Sequence, residues 1–269
     1  MATVFQFHFA PVVGHTKRRH QIRSSADRQA LFSRIAPVYD DLNDVLSLGQ
    51  HRIWKRMTVN WSGAKEGSKV LDLCCGSGDL TFLLSQKVGI NGQVIGLDFS
   101  REQLIVASKR QQLRAKPCYC NLKWVEGDAL DLPYPDCHFD AITIGYGLRN
   151  VLDKYKAMKE VHRVLKPGSK ASILDFNKST DAFRTSIQGW MIDNIVVPVA
   201  ASYGLTEEYR YLKSSIEEFF TGEELEKMAL DSGFQVLNIM KSVEDSWETW
   251  LLHDKTSSYM LPLLLVFIT

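Results

Sequence analysis

The stretch Val70-Leu-Asp-Leu-Cys-Cys-Gly76-Ser77-Gly78-Asp79 decides the fold of this chain. A short apolar run ends in two closely spaced glycines, and helical spacing resumes over 80–88. A strand that turns so and feeds a helix opens a doubly wound α/β sheet. Glycine at 76 and 78 carries no Cβ, so the backbone can turn sharply and lie against a ligand. Asp98 closes a second apolar run, Ile95-Gly-Leu-Asp98-Phe99, about 20 residues on, where a carboxylate accepts from a ribose diol. Asp128, in Gly127-Asp128-Ala129 after a third strand, is placed to accept from an adenine amino group while Phe99 packs on the ring.

Outward from this loop the alternation continues. Strands are expected at 69–73, 93–97, 122–125, 141–144 and 171–176, and helices at 80–88, 101–113 and 155–165. Lys166-Pro167-Gly168 stops the last helix. Strands alternating with helices imply right-handed crossovers and a mostly parallel, Rossmann-like sheet covered on both faces. Residues 31–56 read as one or two N-terminal helices, divided near Pro37. Residues 183–220 turn helical and aromatic, with Trp190, Tyr209 and Tyr211 among them. Ligands bind at the carboxyl ends of strands in open α/β sheets, so a helical insertion over about 180–220 is expected to form a lid there.

A glycine turn with a ribose acid also fits nicotinamide-cofactor enzymes. Those use G-x-G-x-x-G and seat a pyrophosphate on the helix N-terminus. Here Thr81 replaces the third glycine and Asp79 puts a negative charge at the helix start. That charge would repel a pyrophosphate and suits the cationic, phosphate-free S-adenosylmethionine. Asp79 also complements the helix dipole whatever the ligand.

The 269 residues contain 32 basic and 31 acidic side chains. The first 26 carry Lys17, Arg18, Arg19, Arg23, three histidines and no acid, the composition of an organelle transit segment or a basic arm. Without them the balance is 28 basic to 31 acidic, which gives no footing for nucleic-acid binding. Cys74, Cys75, Cys118, Cys120 and Cys137 match neither a disulfide framework nor a zinc site, and no metal is expected. No apolar run approaches the roughly 20 residues that span a bilayer, and the last one, 261–268, falls far short of it.

Several motifs carry a resemblance. Asp72 through Gly78, Asp98, Asp128 and Arg163-Val-Leu-Lys-Pro-Gly168 resemble the motifs of class I methyltransferases. The run Tyr39-Asp-Asp-Leu-Asn-Asp-Val-Leu-Ser-Leu-Gly-Gln-His-Arg-Ile-Trp54 resembles the N-terminal signature of the ubiquinone/menaquinone C-methyltransferases. Gly145-Tyr-Gly-Leu-Arg149-Asn150-Val151 and Tyr209-Arg-Tyr-Leu-Lys-Ser-Ser-Ile216 are similar to two further segments of that family. The resemblance implies an S-adenosylmethionine-dependent enzyme that methylates a ring carbon of a prenylated quinol. The expected donor site is Asp72, Gly76, Ser77, Gly78, Thr81, Asp98, Phe99, Asp128, Ala129 and Gly145. Tyr39, Arg149 and Asn150 fall near the acceptor ring, with Asp40, Asn43 and His51 as further candidates.

A quinone carbon is electron-poor, so the acceptor is expected to be the reduced quinol, its hydroxyl ionised or held by a base. Arg149 precedes a helix that begins near Asp153, an unfavourable place for a cation, which points it toward a ligand. It is too basic to donate its proton and is expected to stabilise a quinolate oxygen or orient a water. Blander roles stand beside these: Asp40, Asn43 or Asn150 as helix caps, His51 as a structural histidine, Trp54 and Trp61 as core.

The leader fits either organelle; together with it the resemblance implies a chloroplast naphthoquinol as acceptor, with a mitochondrial benzoquinol as the alternative. Peripheral membrane contact follows from an isoprenoid-tailed substrate, with Trp190 to Tyr211 the segment expected to meet the tail; a homo-oligomer is left open. Three regions result: a leader (1–26), a methyltransferase domain (27–234) and a tail (235–269). The family ends in two more strands, which 235–269 does not resemble, so those strands are expected to be missing and an edge exposed. On that account a catalytically silent binding member of a quinone-synthesis assembly is the rival from another class.

Overall fold

The computed structural model describes residues 51–114, 116–176, 206–240 and 263–268, with scattered positions between 186 and 204. The helix α1 (His51–Trp61) leads into β1 (Lys69–Leu73), α2 (Asp79–Val88), β2 (Gln93–Asp98), α3 (Arg101–Arg114), β3 (Leu122–Glu126) and β4 (Phe139–Gly145). Then come α4 (Lys154–Val164), β5 (Leu165–Phe176), α5 (Val197–Ser202), α6 (Thr206–Glu217), α7 (Gly222–Asp231), β6 (Val236–Met240) and β7 (Leu263–Ile268). The strands form one sheet in the order β3-β2-β1-β4-β5-β7-β6. Strands β1 to β5 pair in parallel, and β7 lies antiparallel between β5 and β6.

The central strands are short apolar runs because both faces are covered. Leu71, Leu73, Ile142, Ile144 and Ile173 are buried in one continuous core. Helix α4 presents Ala157, Met158, Val161 and Val164 to it, a stripe at helical spacing. Each such side chain contributes roughly 1.5–3 kcal/mol when fully buried, Ala157 less. Asp153 caps this helix by accepting from the Lys156 backbone N–H, so Asn150 is not its N-cap. Arg163, in the motif that ends α4, donates to Glu160, Asp136 and the carbonyls of Leu132 and Tyr134. It fastens the turn between β3 and β4.

Two expectations change. Strand β5 begins at Leu165, not 171, because Leu165 pairs with Phe139 across a register irregularity. The C-terminal strands expected to be missing are present. Phe176 to Ala171 of β5 pairs with Leu263 to Ile268, and β6 pairs with the far side of β7. Leu263-Leu-Leu-Val-Phe-Ile268 is the continuous apolar run suited to a strand with neighbours on both sides. Dissimilarity to a relative's tail says nothing against that capacity. Among the described residues no helix is long and apolar enough to cross a membrane.

Candidate active site

A cavity of about 700 Å³ opens at the carboxyl ends of β1, β2 and β4. The turn after β1 forms its floor. Cys74 takes φ 57, Gly76 φ 52 and Gly78 φ 93, three left-handed positions within five residues. The N–H of Gly76 donates to Asp98 Oδ2 at 2.8 Å and that of Ser100 to Oδ1 at 2.9 Å, which ties the turn to the end of β2. Burial pushes the Asp98 carboxyl up to about 6, opposed by these N–H donors.

Asp72 lies behind the turn at 1 % exposure. Parallel register sets it beside Thr143, whose hydroxyl donates to Oδ1 at 2.7 Å, and Thr81 donates to Oδ2 at 2.5 Å. Burial raises its pKa to about 7 against those bonds. No cation lies within ion-pair distance of Asp72 or Asp98 among the described residues. A cavity floored by two such carboxylates favours a cationic ligand. The thiols of Cys74 and Cys75 are pushed up by burial and by Asp98 and Asp72, so they stay protonated.

Asp79 behaves differently. Burial alone would raise it, but Lys55 and Arg110 outweigh that and hold it well below the usual carboxylate range. Lys55 reaches it from α1; Arg110 reaches it from α3 at 2.7 Å and also donates to the Ser77 hydroxyl and carbonyl. The charge at the helix start is therefore compensated, and it no longer argues against a pyrophosphate. The case for the donor rests on Asp72 and Asp98 instead.

The opposite wall is the turn after β4. Tyr146 takes φ 57, and its carbonyl accepts from Arg149 Nη1 at 2.6 Å and Asn150 Nδ2 at 3.3 Å. Non-glycine residues in this region hold strain, and Cys74 and Tyr146 both hold it on the cavity wall. The turns press together: a Cβ on Gly147 would lie 2.3 Å from Cys74 Cβ. Arg149 is buried and pairs with Asp175 at 2.6 Å, and Asp175 also accepts from the Arg149 and Phe176 backbone N–H groups.

Of the donor-site residues expected from sequence, all but Gly78 and Thr81 line the cavity. Gly78 packs against Trp124, and Thr81 stands behind Asp72. Asn150 is on the wall; Arg149 and His51 are buried off it. Tyr39, Asp40 and Asn43 lie outside the described residues. Sequence reasoning missed Lys55, Tyr146 and Gly147 as wall residues. The first sits next to the N-terminal signature, and the other two inside a segment already singled out.

The family model of the ubiE/COQ5 methyltransferases matches residues 20–243. The chain belongs to the ubiE/COQ5 methyltransferase family. It is an S-adenosylmethionine-dependent methyltransferase, with the class I fold expected from its sequence. The chloroplastic 2-phytyl-1,4-beta-naphthoquinone methyltransferase of Arabidopsis thaliana is 65 % identical over 224 residues, 83 % of this chain and 86 % of that one. The 2-phytyl-1,4-naphtoquinone methyltransferase of Nostoc sp. is 52 % identical over 207 residues, 77 % of this chain and 89 % of that one. A methyltransferase from Aquifex aeolicus shares the fold at 18 % identity, TM-score 0.55, over 85 % of this chain and 96 % of that one. So does the [4+2]-cyclase SpnF, at 15 % identity, TM-score 0.63, over 91 % and 95 %. A cyclase on this scaffold shows why fold alone does not assign chemistry. Among the described residues no cluster of His, Cys, Asp or Glu is arranged to hold a metal.

Proposed function

We propose that this enzyme methylates a ring carbon of a phytylated naphthoquinol, a step of phylloquinone biosynthesis, in the chloroplast. The observation that carries the donor half is the pair of buried carboxylates, Asp72 and Asp98, around a glycine turn. The acceptor half rests on the two relatives whose names specify a 2-phytyl-naphthoquinone.

The cavity fits the donor. Gly76 leaves open space above the turn, where the nearest atom to an added Cβ is Gln103 Oε1 at 3.8 Å. Asp98 would hold the ribose hydroxyls, since each carboxylate oxygen keeps acceptor capacity beyond its backbone bond. Asp128, exposed at the rim, would accept from the adenine amino group, and Phe99 and Ala129 would flank the ring. When bound, S-adenosylmethionine supplies an electrophilic methyl whose transfer leaves a neutral thioether. The protein's task is then alignment, for which holding reactants close and in line contributes roughly 7–11 kcal/mol.

On the acceptor side Asn150 projects from the wall and would bind a quinol oxygen. Arg149 is buried off the cavity and paired with Asp175, so it is not placed to stabilise a quinolate directly. In this proposal Arg149 instead holds the strained Tyr146 turn from behind. Tyr39, on family resemblance, and Asp40, Asn43 and His51, on their chemistry, stay candidates to manage the ring's charges. The isoprenoid tail favours work at a membrane surface.

The test incubates the full chain with S-adenosylmethionine and a chemically reduced 2-phytyl-1,4-naphthoquinone, and reads the methylated ring by mass spectrometry. A reduced benzoquinone acceptor runs in parallel. Methylated naphthoquinol alone supports the reading; methylation of the benzoquinol alone transfers the enzyme to the mitochondrial branch. Donor binding without product from either acceptor would favour a silent member.

A further inference from the structure

Helix α6 reaches the cavity wall through a polar contact, between Tyr211 and Asn150, whose direction can be deduced. Tyr211 Oη lies 3.1 Å from Asn150 Oδ1, and Asn150 Nδ2 lies 3.3 Å from the Tyr146 carbonyl. A carbonyl oxygen only accepts, so the amide end facing Tyr146 must be the NH2. The end facing Tyr211 is then the amide oxygen, and the phenol must donate its proton to it. The amide orientation of Asn150 is thus set from both sides, by the turn after β4 and by the lid.

The lid side is firmly seated. Ile216 is 5 % exposed and Phe219 3 %, and Phe219 belongs to the main core. The hydroxyl of Tyr211 is therefore carried on a helix anchored by Ile216 in its last turn and by Phe219 just beyond its end.

We propose that Tyr211 is a positioning residue, whose hydroxyl orients the Asn150 amide toward the acceptor. The inference rests on the reading of Asn150 as an acceptor-binding residue, and its test separates the two.

Tyr211→Phe keeps the ring and removes one hydroxyl. In the full chain it is expected to lower kcat for the naphthoquinol about five- to tenfold, the scale of one neutral hydrogen bond. The affinity for S-adenosylhomocysteine, read by calorimetry, is expected to be unchanged. Combined with Asn150→Ala, the second substitution should add no further loss, because the hydroxyl acts through the amide. The Asn150 side-chain amide resonance should also shift in Tyr211→Phe, a readout that needs no turnover. An unmoved resonance overturns the proposal, as does unchanged kcat and KM in Tyr211→Phe, or full additivity with Asn150→Ala. If the wild type methylates no naphthoquinol but the resonance moves, the acceptor assignment fails while the contact stands; the kinetic cycle is then run on whichever quinol the enzyme does methylate, with the same two outcomes.

Discussion

At Gly78 the backbone takes φ 93, and a Cβ there would lie 2.5 Å from Cη2 of Trp124. Trp124 cannot yield easily, since its indole N–H donates to Gln111 at 2.7 Å and Gly96 lies beneath the same ring. Gly78→Ala combines a left-handed strain with this clash and is expected to destabilise by about 2–4 kcal/mol. It should also weaken S-adenosylhomocysteine binding at least tenfold, as judged by melting and calorimetry. Gly67, also left-handed but with nothing within 4 Å, is the control for strain alone. The two carboxylates give a pH signature. Burial raises Asp98 to about 6 and Asp72 to about 7, so both protonate between pH 8 and 5. A bound sulfonium favours their charged forms, so its affinity should fall about tenfold or more from pH 8 to 5.5. The neutral thioether product should lose less. A constant ratio of the two affinities across that range would remove the electrostatic argument for the donor. In the free enzyme the sign is reversed: a raised folded pKa means stability from these groups is gained as pH falls from about 7 toward 4.

Between elements, Asp79 is where α1, α2 and α3 meet. Asp79→Asn leaves both Lys55 and Arg110 without their carboxylate, whereas Lys55→Met leaves Asp79 paired with Arg110. The first is therefore expected to cost more, about 2–4 kcal/mol against about 1–2, in chemical unfolding. Equal losses would mean that Lys55 carries the contact alone. Because its folded pKa is depressed, Asp79 contributes stability that is present above pH 4 and lost as pH falls below it. This junction also marks what the sequence could tell. The strand ends at Leu73 and Asp98 were legible because apolar runs stop at glycine or acid there. Asp98 was legible because motif spacing fixes it on a strand end, whereas Asn150, in the turn after β4, was singled out only through the family resemblance of its segment. Lys55 was not, since a lysine on an amphipathic helix reads as a solvated face, and its partner lies 24 positions away. Nor was the inward turn of Arg149, which depends on Asp175 lying on the neighbouring strand, a matter of register that spacing does not reveal.

At the scale of the whole molecule, the sheet depends on its last strand. Strand β7 fills the gap between β5 and β6, and in its register Leu264 stands beside Asp175. Asp175 holds Arg149, and Arg149 holds the Tyr146 turn on the cavity wall. Loss of β7 would therefore expose the β5 edge and loosen the cavity wall after β4 together. A chain ending at residue 262 is expected to melt at least about 10 °C lower, or to aggregate, because a central strand is gone. Val266→Pro asks the same question at full length. Proline removes an N–H from a strand paired on both sides and should cost about 3 kcal/mol or more. In both variants naphthoquinol turnover should fall further than S-adenosylhomocysteine affinity, since β1 and β2, which carry Asp72 and Asp98, lie on the other side of β4. Equal loss of both would mean that the whole sheet unfolds as one unit. Full melting temperature and full turnover in the truncated chain would show that β5 needs no partner on that side.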